Sequence, residues 1–162
     1  MSATRRKPKT QEPSADWRAM LSKRGWTAET NLPGDYQAGM KDLKTRLLAF
    51  GGWATCLPVI EEDLKNIMGR GLLMKGRGRT SLRLGQACRC HSNSAYLWNA
   101  EPHLKIMTGY ALSKDGVWRQ HSWCIDTGAS TYSIIETTQR RVAYYGFIMT
   151  DAEAERFYEE NE

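Results

Sequence analysis

Apolar positions recur at helical spacing through the first half of the chain. Between Asp35 and Phe50, the residues Met40, Leu43, Leu47 and Phe50 form one stripe and Gly51-Gly52 closes it, which predicts a helix. A second helix is expected after Pro58, with Val59, Ile60, Leu64, Ile67 and Met68 buried and Gly69 as its stop. A shorter one over Asp16 to Trp26 would bury Trp17, Met20 and Leu21 ahead of the turn-forming Asn31-Leu32-Pro33-Gly34. The stretch that follows Gly69 is glycine-rich and reads as a flexible loop. From Ala95 to Ala100 the residues are apolar nearly all round apart from Asn99, the pattern of a helix packed between other elements.

Beyond Glu101-Pro102 the period shortens to that of strands. Leu104 to Leu112, Val117 to Asp126, Tyr132 to Thr138 and Val142 to Thr150 are separated by links short enough to imply an antiparallel meander. Asp151 then caps a terminal helix running to about Glu160. The expected class is α+β: a helical N-terminal half, a helix packed on a four-stranded antiparallel meander, and a C-terminal helix.

Composition narrows this picture. A chain of 162 residues is about one domain long. Residues 1–15 carry Arg5, Arg6, Lys7 and Lys9 with no apolar face and read as a disordered basic tail, which leaves 16–162 as a single domain. No apolar run approaches the ~20 residues needed to cross a membrane. No secretory signal is visible at the N-terminus, so the expected location is cytoplasmic and no membrane partner is expected. The four cysteines do not make a disulfide framework, since Cys88 and Cys90 are too close to staple anything and Cys56 lies in another segment; free thiols are expected.

The net charge of +5 is unevenly spread. No acidic residue occurs between Asp63 and Glu101, whereas Lys65, Arg70, Lys75, Arg77, Arg79, Arg83 and Arg89 do. This interval suits an acidic protein or peptide partner, or nucleic acid; the plainer reading is a solvated loop kept soluble by its charge.

Candidate chemistry gathers at Cys88-Arg89-Cys90-His91-Ser92-Asn93, where the loop gives way to a helix. A helix start favours a thiolate through its unpaired N–H groups and dipole, and Ser92 and Asn93 are the expected capping residues. A lone cysteine is more often a packed side chain than a nucleophile, so partners decide the reading. Counting the hairpin symmetrically about Gly128-Ala129 sets His121 directly opposite Glu136, on one face of the sheet, with Thr108 beside His121 and Tyr144 beside Glu136. One imidazole nitrogen then meets the carboxylate and the other is left for the thiol of Cys90.

A cysteine at a helix start, a histidine on a following strand and an acid on the next is the order of a nucleophile, a base and an orienting group. In this order the chain resembles the papain-like cysteine hydrolases, in the broad sense that includes NlpC-type peptidases, transglutaminase-like proteins and bacterial deamidases. The resemblance spans Cys88 to Met149. It rests on Cys90 in Cys90-His91-Ser92-Asn93, His121 in Trp118-Arg119-Gln120-His121-Ser122-Trp123, and Glu136 in Ile134-Ile135-Glu136-Thr137-Thr138. It implies a papain-like α+β domain and a Cys90–His121–Glu136 triad that cleaves or transfers at amide bonds through a thioester, as a protease, amidase, deamidase or transglutaminase-like enzyme, without metal or other cofactor. Gln86 stands closer to Cys90 than papain's oxyanion-hole glutamine stands to its cysteine, which leaves its contribution open.

Two other classes compete. Cys88, Cys90, His91, His121 and Cys124 invite a zinc-binding module, although Cys-x-Cys spacing is tight for it and His121 and Cys124, three apart on a strand, face opposite sides. The basic glycine-rich loop with its Tyr and Trp neighbours invites a nucleic-acid-binding module, without a recognisable signature for one.

Overall fold

A computed structural model describes residues 34–78, 80–128 and 131–162. The basic tail and the short helix expected at Asp16 to Trp26 lie outside the described residues. Residues 35–162 form one unit with its own core.

Helix α1 spans Gly34–Phe50 and buries Leu43 and Leu47 completely. Gly51 and Gly52 end it, both at positive φ, and a side chain at Gly52 would stand 2.7 Å from the Gly116 carbonyl. Strand β1, Ala54–Cys56, follows at once. Helix α2 is only Leu64–Arg70, shorter than the apolar stripe predicts. Its expected first turn is claimed by other bonds: the Tyr36 hydroxyl accepts from the Glu61 N–H, and the Glu61 carboxylate accepts from Tyr110 and Gln120.

The glycine-rich segment is not simply a loop. It contributes strands β2, Leu72–Lys75, and β3, Thr80–Leu82. Helix α3 is Cys90–Ala100, and the long strands β4, Leu104–Leu112, and β5, Val117–Asp126, fall where the alternation predicts them. Strands β6, Ser133–Glu136, and β7, Ala143–Ile148, are shorter than expected. Helix α4, Asp151–Asn161, is capped by Thr150 rather than Asp151, through a reciprocal pair with Glu153.

The class is α+β, but the sheet is mixed and is not a simple meander. Its order is β2-β7-β4-β5-β6-β3, with β1 on β5. Strand β7 does not continue beyond β6; it returns to pair antiparallel with β4, while β3 takes the outer edge of β6 in parallel. The physical reason lies in β4, which is buried at almost every position and needs neighbours on both edges.

One face of the sheet carries the helices and the larger core, including Ile106, Tyr110, Trp118, Cys124 and Phe147. The other face curls over a smaller cluster of Met107, Ala111, Trp123, Ile125, Ile134 and Tyr144. Gly146 belongs to this second face, and a side chain there would meet the Trp123 ring at 2.9 Å. Among the described residues no helix is long and apolar enough to cross a membrane.

Candidate active site

Strand β5 is paired with β4 along its whole length, but its outer edge is covered only in part. Strand β1 covers Val117 to Arg119 and β6 covers Cys124 to Asp126. Between them lies a notch. Ser113 and Val117 share a ladder bond across the β4–β5 hairpin, so the antiparallel alternation turns the N–H of Ser122 outward into that notch. Helix α3 packs on the helix-bearing face, where the Cys124 thiol donates to the Ser94 carbonyl at 3.4 Å. Cys90 begins this helix, half-buried, and the outward N–H of Ser122 favours its thiolate.

His121 projects from the opposite face and is 2% exposed. Its Nε2 lies 2.8 Å from Oε2 and 3.1 Å from Oε1 of Glu136, which is fully buried. With Nε2 committed to the carboxylate, Nδ1 is left free for the Cys90 thiol, and the two groups act on one another's protonation. The sheet edge at the notch lets a helix on one face and a histidine on the other meet.

Glu136 is held on all sides. Its Oε1 accepts from the backbone N–H of Thr137, the backbone N–H of Thr138 and the Thr138 hydroxyl, each at 2.9 Å, and its Oε2 accepts from the Tyr144 hydroxyl at 2.9 Å. Burial raises its pKa, but His121, the Thr138 N–H and Tyr144 outweigh burial and keep the carboxyl below its ordinary value. Burial likewise lowers the basicity of His121, and its bonds to Cys90 and Glu136 more than restore it, so the imidazole lies above its ordinary value. For Cys90, burial pushes the thiol up, while the bond and charge of His121 and the Ser122 N–H bring it below an ordinary thiol. Cys124, with only burial of consequence acting on it, is pushed up to about 12.

The register differs from a symmetric hairpin. Cys124 faces Ile135 and Asp126 faces Ser133, which shifts the pairing by two positions from the expected count and sets Glu136 diagonally from His121. A shift of two preserves the face, so the pair still meets. Thr108 shifts by one and therefore changes face: it sits opposite Ser122, not beside His121. Tyr144 reaches Glu136 although its strand is not adjacent to β6. Asp126 accepts from the Gly128 N–H and takes no part.

Several residues here have no signal in residue order alone. His91 Nδ1 lies 2.6 Å from the Ser122 hydroxyl, which lies 2.9 Å from the Thr108 hydroxyl, a polar chain behind the residue that faces Cys90. Burial and the neighbouring His121 charge hold His91 below its ordinary pKa. The expected caps are used otherwise. Arg89 is the N-cap and supplies no side-chain bond, while Asn93 brackets the Gln86 backbone, accepting from its N–H and donating to its carbonyl. The N–H groups of Cys90, His91 and Ser92 therefore make no backbone or side-chain bond among the described residues. Cys88 precedes them at φ 60°, a left-handed position that costs a non-glycine residue about 1–3 kcal/mol.

Comparison of the chain with family models, curated proteins and solved structures gives no match in any of the three. Among the described residues, no group of three or more His, Cys, Asp and Glu side chains converges as a metal-binding set. The Cys124 thiol is buried and bonded to the Ser94 carbonyl, on the face of β5 opposite to His121, which separates two of the residues that the zinc reading brings together.

Proposed function

We propose that this protein is a cysteine-dependent hydrolase or acyltransferase acting on amide bonds, with Cys90 as nucleophile, His121 as general base and acid, and Glu136 as the orienting group. One observation carries the reading: a histidine clamped through Nε2 by a buried, fully bonded carboxylate keeps its other nitrogen free and lowers the pKa of a thiol at an uncapped helix start. His121 takes the Cys90 proton, and the thiolate adds to the amide carbonyl. The oxyanion forms beside the unpaired N–H groups of the first turn of α3. The carbon–nitrogen bond then breaks as His121 returns the proton to the leaving nitrogen, leaving a thioester that water or an amine resolves. Water makes the reaction that of a protease, amidase or deamidase, and an amine makes it a transamidation. The partner is a protein or peptide substrate, with acidic character favoured by the basic segment.

The test is alkylation by iodoacetamide at about pH 5.5 with peptide mapping. Cys56 and Cys88 are exposed and serve as internal standards, and Cys124 as a buried one. An ordinary thiol of pKa near 8.5 is about 0.1% ionised there. We expect Cys90 to react first despite being the less exposed. The rate should rise with pH through the depressed pKa of Cys90, and in His121→Ala that inflection should move upward because the stabilising cation is gone. Equal or faster reaction at Cys88 or Cys56 would remove the nucleophile assignment.

A further inference from the structure

The helix stripe that Cys90 begins continues into an open groove. Asn93 and Leu97 follow Cys90 on the same side of α3, and together with Leu84, Gly85, Tyr96 and Thr137 they line a groove of about 460 Å³ whose rim includes Arg83. At a rise of about 1.5 Å per residue the groove runs from about 5 to about 10 Å beyond Cys90. That is the reach of two to three residues of extended peptide.

Its walls are apolar and open. Leu84 is 69% exposed and Tyr96 50%. At the rim, Arg83 is paired with Glu101, and no carboxylate is among the described residues that line the groove. The walls are also fixed in place. The N–H of Arg83 donates to the Glu136 carbonyl and that of Gly85 to the Thr137 carbonyl, both at 2.9 Å, so this segment extends the ladder of β3 along β6. A side chain at Gly85 would stand 2.5 Å from Asn93, so only glycine brings the segment this close to the helix. Alternation along the ladder turns the backbone of Leu84 away from β6, and its N–H and carbonyl make no bond among the described residues. At the floor, the Thr137 hydroxyl is buried without a hydrogen-bond partner.

We propose that this groove and the outward backbone of Leu84 receive an extended peptide, seating a side chain of leucine or phenylalanine size two to three residues from the bond that Cys90 attacks. The inference rests on Cys90 being the nucleophile. An edge strand gives main-chain affinity, and a neighbouring apolar groove gives side-chain selection, which together define a peptide substrate rather than a small amide.

The test uses epoxysuccinyl peptides, whose epoxide carbon is attacked by a thiolate as the carbon–oxygen bond opens and the alkoxide is protonated. Two sets carry residue Xaa two positions from the epoxide, one set on each arm, with Xaa as Phe, Leu, Gly or Asp. In at least one set, Phe or Leu should alkylate Cys90 at least roughly tenfold faster than Gly or Asp, the scale on which apolar pockets discriminate. Leu84→Asp should abolish that preference while leaving the iodoacetamide rate at Cys90 within about twofold, and Tyr96→Ser should reduce it; both side chains are exposed, so folding is readily retained. Absence of preference in both sets, or a preference that survives both substitutions, overturns the groove assignment while rapid iodoacetamide labelling keeps the nucleophile. Slow iodoacetamide labelling of Cys90 overturns both together.

Discussion

A carboxylate as deeply buried as Glu136 persists only because both its oxygens are occupied, and the pattern of occupation determines what substitution does. In Glu136→Gln, three donors from Thr137 and Thr138 still converge on Oε1, so the amide oxygen must take that place. Its NH₂ then faces His121 Nε2 and donates to it, driving the ring proton to Nδ1, where it blocks acceptance of the Cys90 proton. We expect iodoacetamide labelling at about pH 5.5 to fall at least tenfold, since each unit of thiol pKa is a factor of ten in thiolate. Turnover of an amide substrate should fall by roughly 10³–10⁴, as for other triads forced into the wrong tautomer. Asp126→Asn should match the wild type. Glu136 is depressed below 4.5 and His121 raised above 6.5. The Glu136 contribution is therefore complete above about pH 4.5 and lost on acidification, and that of His121 is complete below about pH 6.5 and lost as pH rises. The melting advantage of wild type over Glu136→Gln should accordingly be widest between these values. A folded Glu136→Gln protein with unchanged labelling would remove Glu136 from the proposed triad.

Among the elements, α4 is the support of the helix that Cys90 begins. Phe157 packs edge-on against His91, and Tyr158 against Tyr96 and Trp98. Its start is fixed twice over, by the Thr150–Glu153 capping pair and by Arg70, which holds Glu153 at 2.8 Å and lies over the Phe147 ring. Thr150→Ala should cost about 1 kcal/mol, which in a domain of this size lowers the melting temperature by roughly 2–4 °C, readable by calorimetry. No shift would mean that the Arg70 tie alone holds the helix. Elements made by near neighbours in sequence are the legible ones. The apolar stripe of α1 and the β4–β5 hairpin follow from local periodicity, and the contact of His121 with Glu136 survives an error in the hairpin count because a shift of two retains the face. Strands β1, β2 and β3 were hidden because three or four residues carry little periodicity and their partners, β5, β7 and β6, lie far along the chain. The same distance hid the return of β7 to β4. The shortness of α2 and the capping of α3 depend on side-chain bonds of Glu61 and Asn93 that no spacing announces.

For the molecule as a whole, the acid-free interval is less uniformly available than its composition implies. Arg70 and Arg83 are engaged with Glu153 and Glu101, whereas Lys75, Arg77 and Arg89 are exposed. If these three draw anionic groups toward the site, Cys90 will prefer iodoacetate to iodoacetamide more than Cys56 does. Replacing all three by Gln should lower that ratio several-fold without changing the melting temperature, and raising salt should do the same in the wild type, since exposed charges are screened beyond about 8 Å at physiological ionic strength. A ratio insensitive to both returns the interval to a solvated surface.

The return of β7 also sets an order of events during synthesis. Cys90, His121 and Glu136 all leave the ribosome before Ala143–Ile148, yet Tyr144 of that strand completes the bonds of Glu136, and β7 joins β2 to the rest of the sheet and closes the open edge of β4. A growing chain therefore carries the three chemical groups without the frame that sharpens them. On the proposed reading, the thiol is fully activated only after Ala143–Ile148 has been made and has joined the sheet, so a chain stalled before that strand should label slowly at Cys90.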